Sequence, residues 1–264
     1  MPTQPPLAET RGDGPDSRVF RAPSLHQVVR LHALRQLGLL IRPAQIWPLL
    51  ATFGALVVLT GLSARYNLED RRAAIDLFNG LGVTLVTLLA IGYGTSAVRA
   101  ASTQGAFSLY LLRPRGSFGW PVGTFCATGG LLGLGAAVTA ASVWGTAAVV
   151  AMQPELGHLL PMTASAGLTA LAWTAIAMAV AAFSQRGPVW CVLWWVVIDQ
   201  GMARAVDSLA WITPGPASAA LSVLPEDPAI VAAGAGMACL QLLAVTLVAL
   251  VLFQRRVHRT PPTK

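Results

Sequence analysis

Apolar and polar residues along this chain fall into long blocks instead of a short alternating pattern. Long stretches contain no Asp, Glu, Lys or Arg, among them 22 residues at 77–98, 39 at 116–154, 30 at 156–185 and 27 at 228–254. A helix needs roughly 20 apolar residues to cross a bilayer core, where backbone amides have no water to bond. The blocks predict an all-α membrane protein with six transmembrane helices at 46–63, 77–98, 124–150, 159–183, 188–205 and 229–253. The fifth is the least regular, since Asp199 and Arg204 fall inside it.

Before the first block, residues 1–23 are rich in Pro, Gly and charge and read as a disordered tail. Residues 24–45 read as an amphipathic helix in the membrane interface. There Leu34, Leu37, Leu40 and Ile41 oppose His32, Arg35 and Gln36. The first apolar run starts after some 45 residues, too far in for a cleaved signal peptide. Residues 46–254 then form the transmembrane domain, and 255–264 a basic tail. A short surface helix is expected within 64–76. A partial helix dipping back into the outer leaflet is expected within 206–228, where Pro214 and Pro216 interrupt an apolar loop.

Charge orients the spans. Segments 1–45, 99–123, 184–187 and 254–264 hold 14 of the 18 Lys and Arg and only three acids, Glu9, Asp13 and Asp16. Basic residues collect on the cytoplasmic side, so both termini are expected there. Splitting the 39-residue block into two spans would put Arg255, Arg256, Arg259 and Lys264 outside. The sequence pI near 10.3 therefore reports topology, and no nucleic-acid partner is expected.

Little catalytic chemistry is legible. The one lysine is Lys264, so this chain carries no P-loop, whose Lys must reach the phosphates. Neither HExxH nor GxSxG occurs. Gly92, Gly94 and Ala97 match a dinucleotide fingerprint, but no strand precedes them. Cys126, Cys191 and Cys239 are scattered through the spans, and His26, His32, His158 and His258 are dispersed, so no disulfide, metal or cofactor is expected. Gly129 and Gly133 form a GxxxG pair, which lets helices approach closely.

The polar group that stands out is Asp199, Gln200 and Arg204, with Asp207 beyond. Asp199 lies about 16 Å along a helix from Pro188, near the bilayer middle. An ionisable group at that depth usually faces protein or water. It reads as part of a translocation path or gate, or else as a polar helix end that pairs locally.

The segment after the second span resembles the type-two ABC exporter permeases. Gln104-Gly105-Ala106 is followed by Leu111-Leu112, Pro114, Gly116-Ser117, Trp120 and Gly123-Thr124, and Trp211-Ile212-Thr213-Pro214 is similar to an apolar stretch between that family's last two spans. Gln104 stands where the family pattern has an acid, and Thr124 where it has a lysine. The resemblance implies a six-span subunit that dimerises with a second copy or a paralogue in the lipid bilayer. It also implies a separate ATPase subunit that holds the ATP. That subunit would be contacted by the inner segment containing Gln104, Gly105, Phe107, Tyr110, Leu112, Arg113, Pro114 and Arg115. The same apolar groups could instead rest on the bilayer, with the arginines on anionic lipid. A non-ABC transporter or assembly factor, or a membrane-embedded enzyme, would also fit the spans. Arg in place of Lys suggests a GC-rich bacterial genome, hence the cytoplasmic membrane.

Overall fold

A computed structural model describes residues 24–66, 77–103, 116–151, 159–204, 206–222 and 228–259. The regular structure among them is entirely helical. The expected tail at 1–23, most of the 64–76 segment and the whole of 104–115 lie outside the described residues.

Helix α1 (Leu25–Leu40) opens on a capping box. The Gln27 N–H donates to the Ser24 hydroxyl at 3.3 Å, and the Ser24 N–H donates to Gln27 Oε1 at 2.9 Å. Two first-turn donors are thereby satisfied. Pro43, which needs no N–H at a helix start, begins α2 (Pro43–Tyr66). One side of α1 is buried against the bundle and another is exposed. Leu31 and Leu34 are 61% and 58% exposed, whereas His32 is 8% exposed. The cause is a second GxxxG pair. At Gly119 an added Cβ would strike Val28, and at Gly123 it would lie 2.8 Å from His32 Cβ. The glycines let α1 sink its His32 side onto the next long helix, and Leu31 and Leu34 are turned outward, where lipid costs them nothing.

Three long helices follow. A π-helical turn (Phe78–Gly82) leads into α3 (Val83–Thr103); then come α4 (Gly116–Ala151) and α5 (Leu159–Phe183). Helix α5 is the axis of the bundle, with Met162, Ala166, Ala170, Trp173, Ala177 and others buried on every side. Apolar packing against lipid gives no hydrophobic drive, so close fit has to hold such helices together. Small residues supply the fit. Gly133 of the expected GxxxG pair faces the Gly167 carbonyl oxygen, where an added Cβ would come within 3.3 Å. A Cβ at Gly94 would stand 2.9 Å from Ala177 Cβ and from the Thr174 carbonyl oxygen. The apparent dinucleotide fingerprint is thus a helix-packing contact.

The last long helix, α9 (Pro228–Arg259), runs parallel to α5. Ala238 and Leu242 cluster with Ala172, Phe253 and Val257 cluster with Ala175 and Met178, and Arg256 Nε donates to the Ala182 carbonyl at 3.4 Å. Arg256 also lies over the Phe183 ring, 5.5 Å from its centre. Arg99, at the end of α3, donates to the Gln185 carbonyl. Two arginines thus tie down the chain where α5 ends. The starts of α2 and α4 lie at this same end of the bundle. Tyr93 donates to the Gln45 carbonyl, and the Trp120 ring meets that of Phe253 at a tilt of 59°, with 5.6 Å between centres.

Among the described residues, five helical stretches are long and apolar enough to cross a membrane: Pro43–Ser63, Phe78–Ala101, Phe118–Thr146, Leu159–Phe183 and Ala235–Val257. The architecture is that of a multi-pass helical membrane protein. The expected fifth span at 188–205 is not one helix. Helix α6 (Gly187–Leu193) continues as a π-helical turn (Trp194–Asp199), so its apolar helical stretch ends at Asp199. A 3-10 turn (Met202–Arg204), the single-turn α7 (Asp207–Ala210) and α8 (Pro214–Ser222) complete this part of the chain. Helix α8 packs between the beginnings of α5 and α9: Ser165 Oγ donates to the Ser218 carbonyl at 2.9 Å, and Gln241 Nε2 to the Thr213 carbonyl at 3.3 Å. Residues 187–222 therefore carry the chain from the arginine-clamped end to the opposite end in pieces.

Candidate functional site

The break is built around one carboxylate. Asp199 closes the π-helical turn, and its side chain is only 1% exposed. The Gly215 N–H donates to Asp199 Oδ1 at 2.7 Å, and Gln200 Nε2 donates to Oδ2 at 3.2 Å. The choice of Gly215 follows from its neighbours. Pro214 and Pro216 have no N–H, so among the first three residues of α8 Gly215 alone has a backbone donor to offer. Asp199 acts as an N-terminal cap delivered from sixteen residues upstream, where a carboxylate also meets the positive end of the helix dipole. Glycine is required here by space. A Cβ on Gly215 would lie 2.8 Å from the carboxyl carbon of Asp199.

Beside this cap lies a cavity of about 480 Å³ in the bundle interior. Asn79, Thr84 and Thr87 line it from the beginning of α3, and Thr169 and Trp173 from α5. Trp195, Asp199, Gln200 and Ser218 line it from the broken segment. Its wall therefore alternates hydroxyl and amide groups with two indole rings.

Thr169 differs from most threonines of the bundle. Thr60, Thr95, Thr139, Thr163, Thr174 and Thr246 each donate to the carbonyl four residues earlier, at 2.7–2.8 Å. That bond lets a hydroxyl sit in a helix without a partner elsewhere. Thr169 Oγ1 makes no hydrogen bond although the residue is 1% exposed. Thr124 and Thr128 share this state, but they do not line the cavity.

Of the residues singled out by sequence, Asp199 and Gln200 come together at the cavity wall. Arg204 ends the 3-10 turn, so the expected helical spacing from Gln200 to Arg204 and on to Asp207 is not realised. Gln104, Gly105, Phe107, Tyr110, Leu112, Arg113, Pro114 and Arg115 lie outside the described residues. The sequence reading missed Asn79, Thr84, Thr87, Thr169, Gly215 and Ser218. The Pro-Gly-Pro run was the available signal for Gly215, because it leaves one donor at a helix start. For the threonines there was none, since a threonine within a span is ordinarily bonded to its own helix. Compared with known protein families and with characterised proteins, the sequence matches none.

Proposed function

We propose that this chain is the membrane-spanning permease subunit of an ATP-driven exporter of the type-two ABC class. In this reading it crosses a bacterial cytoplasmic membrane six times with both termini inside, pairs with a second copy or a paralogue, and is driven by a separate ATPase subunit. The observation that carries the reading is the polar cavity at the break. Asp199 has a structural task as the cap of α8, but purely structural spans have no need to leave an unbonded hydroxyl on a polar cavity beside a broken helix. Irregular backbone at membrane depth is tolerated where it lines such a space. Asp199 is then the pin of a gate, since releasing the Gly215 N–H frees α8 to move relative to the cavity.

Two further features support it. In this reading the broken segment is the sixth crossing that the charge distribution calls for, and α1 sits at the same end of the bundle as the end of α9. The lysine count supports a separate motor, because no P-loop can be built from Lys264 alone. Energy would then enter through the 104–115 segment, where Phe107, Tyr110 and Leu112 offer anchors of the kind that dominate interfaces.

The test is co-purification. The tagged chain should retain its ATPase partner when isolated from its own membrane. The double variant Tyr110→Ala, Leu112→Ala should insert normally and lose that partner. Unchanged co-purification would remove this segment as the coupling surface, and absence of any ATPase from the wild-type preparation would favour a transporter driven by another source.

A further inference from the structure

We infer that the cavity at the break binds an uncharged amphiphile, a molecule with a hydrogen-bonding head and an aromatic or branched apolar body. The inference deepens the transport reading, on which it rests, by naming the class of solute exported.

The carboxylate suggests a cationic ligand at first sight, but it is already engaged. Its two oxygens accept from Gly215 and Gln200, and the residue is 1% exposed. A cation would have to displace the cap of α8 to reach it. Helix α8 also presents the positive end of its dipole to the same space. A bare calcium or magnesium ion fits no better, because it needs about six or more oxygen ligands drawn tightly around it, whereas this space is about 480 Å³. That volume lies within the roughly 300–1,000 Å³ typical of small-molecule sites.

The group left to recognise a ligand is the Thr169 hydroxyl. Six threonines of the bundle bond to their own helix, and this one, at the cavity wall, does not. A buried hydroxyl without a partner is unfavourable, so its placement makes sense when a ligand supplies the missing bond. Trp173 and Trp195 offer flat apolar surfaces for the body of the molecule, and Asn79 adds a neutral amide to the lining. Neutral polar groups at one place and indole rings at another describe an uncharged amphiphile.

Three isosteric probes separate the possibilities: 4-tert-butylphenol, tert-butylbenzene and phenyltrimethylammonium. Equilibrium dialysis against the full chain in lipid nanodiscs, with empty nanodiscs subtracted, needs neither nucleotide nor an ATPase, so it is independent of the co-purification test. The phenol should bind saturably at one site per chain and more tightly than the hydrocarbon. Thr169→Val should weaken the phenol by about threefold to tenfold, the equivalent of one neutral hydrogen bond. It should leave the hydrocarbon unchanged, which also shows that the variant is folded. Thr169→Ser should restore the phenol. Equal binding of phenol and hydrocarbon, displacement of the phenol by phenyltrimethylammonium, or no saturable binding at all would each overturn the proposal.

Discussion

Helix α5 and the segment from Gly187 to Ser222 face each other across one cavity, yet they solve the problem of being buried in opposite ways. Helix α5 runs from Leu159 to Phe183 without interruption. Its backbone is satisfied internally, and Thr163 and Thr174 bond back to its own carbonyls at 2.8 and 2.7 Å. What it asks of its neighbours is shape, and they answer with Gly94 and Gly133. The opposite segment stops at Asp199, turns, and restarts at Pro214. Its polar groups are satisfied across gaps in the chain, from Asp199 to Gly215 and from Ser165 to Ser218. The contrast teaches that a regular helix in apolar surroundings depends on volume, whereas an irregular one depends on particular partners.

The largest effect should follow from adding volume against α5. Gly94→Val places a Cβ 2.9 Å from both Ala177 Cβ and a backbone oxygen of Thr174, and neither can be rotated aside. Overpacking of this kind costs about 1–3 kcal/mol, and contact with backbone argues for the upper end. Reversible unfolding in mixed micelles would measure it. A loss below about 0.5 kcal/mol would show that α3 and α5 are loosely joined and would weaken the contrast.

Next comes Gly215→Ala, which introduces one methyl group at the carboxylate of Asp199. The hydrogen bond it displaces involves a charged acceptor, worth about 1.5–3 kcal/mol. The loss should be local. Hydrogen exchange should accelerate across residues 206–222 while α5 keeps its protection, because nothing in α5 depends on this cap. Equal acceleration in both would make them one cooperative unit and end the comparison.

The regular half of this picture was legible in the amino-acid order and the irregular half was not. The uncharged blocks at 77–98 and 159–183 lie within a few residues of α3 and α5, because lipid itself requires such blocks. The stretch at 188–205 reads as a span for the same reason, since Gly187–Asp199 is helical and apolar. Its break depends on a partner sixteen residues away, and no local pattern announces that Asp199 will cap a helix beginning at Pro214. Asp199 and Gln200 were found because charge is conspicuous among apolar residues. Thr169 was not, because its distinction lies in a bond it does not make. Which side of α1 packs on the bundle was not legible, because Leu34 and Ile41 are exposed while Leu40 of the same expected face is buried. In the bundle, the two glycines at 119 and 123 decide which side of α1 is buried.

The smallest effect, and the sharpest check on the contrast, is expected at Thr174. This residue is completely buried in the middle of α5, and its hydroxyl donates to the Ala170 carbonyl at 2.7 Å. A buried hydroxyl that crossed to another helix would leave an orphan behind when removed. Here the only partner is a carbonyl of the same helix, whose place in the i to i+4 pattern does not depend on the side chain. Thr174→Val keeps the branched shape and removes donor and acceptor together, so no polar atom is stranded. Hydrogen bonds of side chains in membrane helices are worth about 0.6 kcal/mol on average, and this one should fall at or below that value in the same micelle unfolding assay. A loss above about 2 kcal/mol would mean that α5, like the segment facing it, is held by specific polar contacts, and the division between a helix that needs volume and one that needs partners would fail.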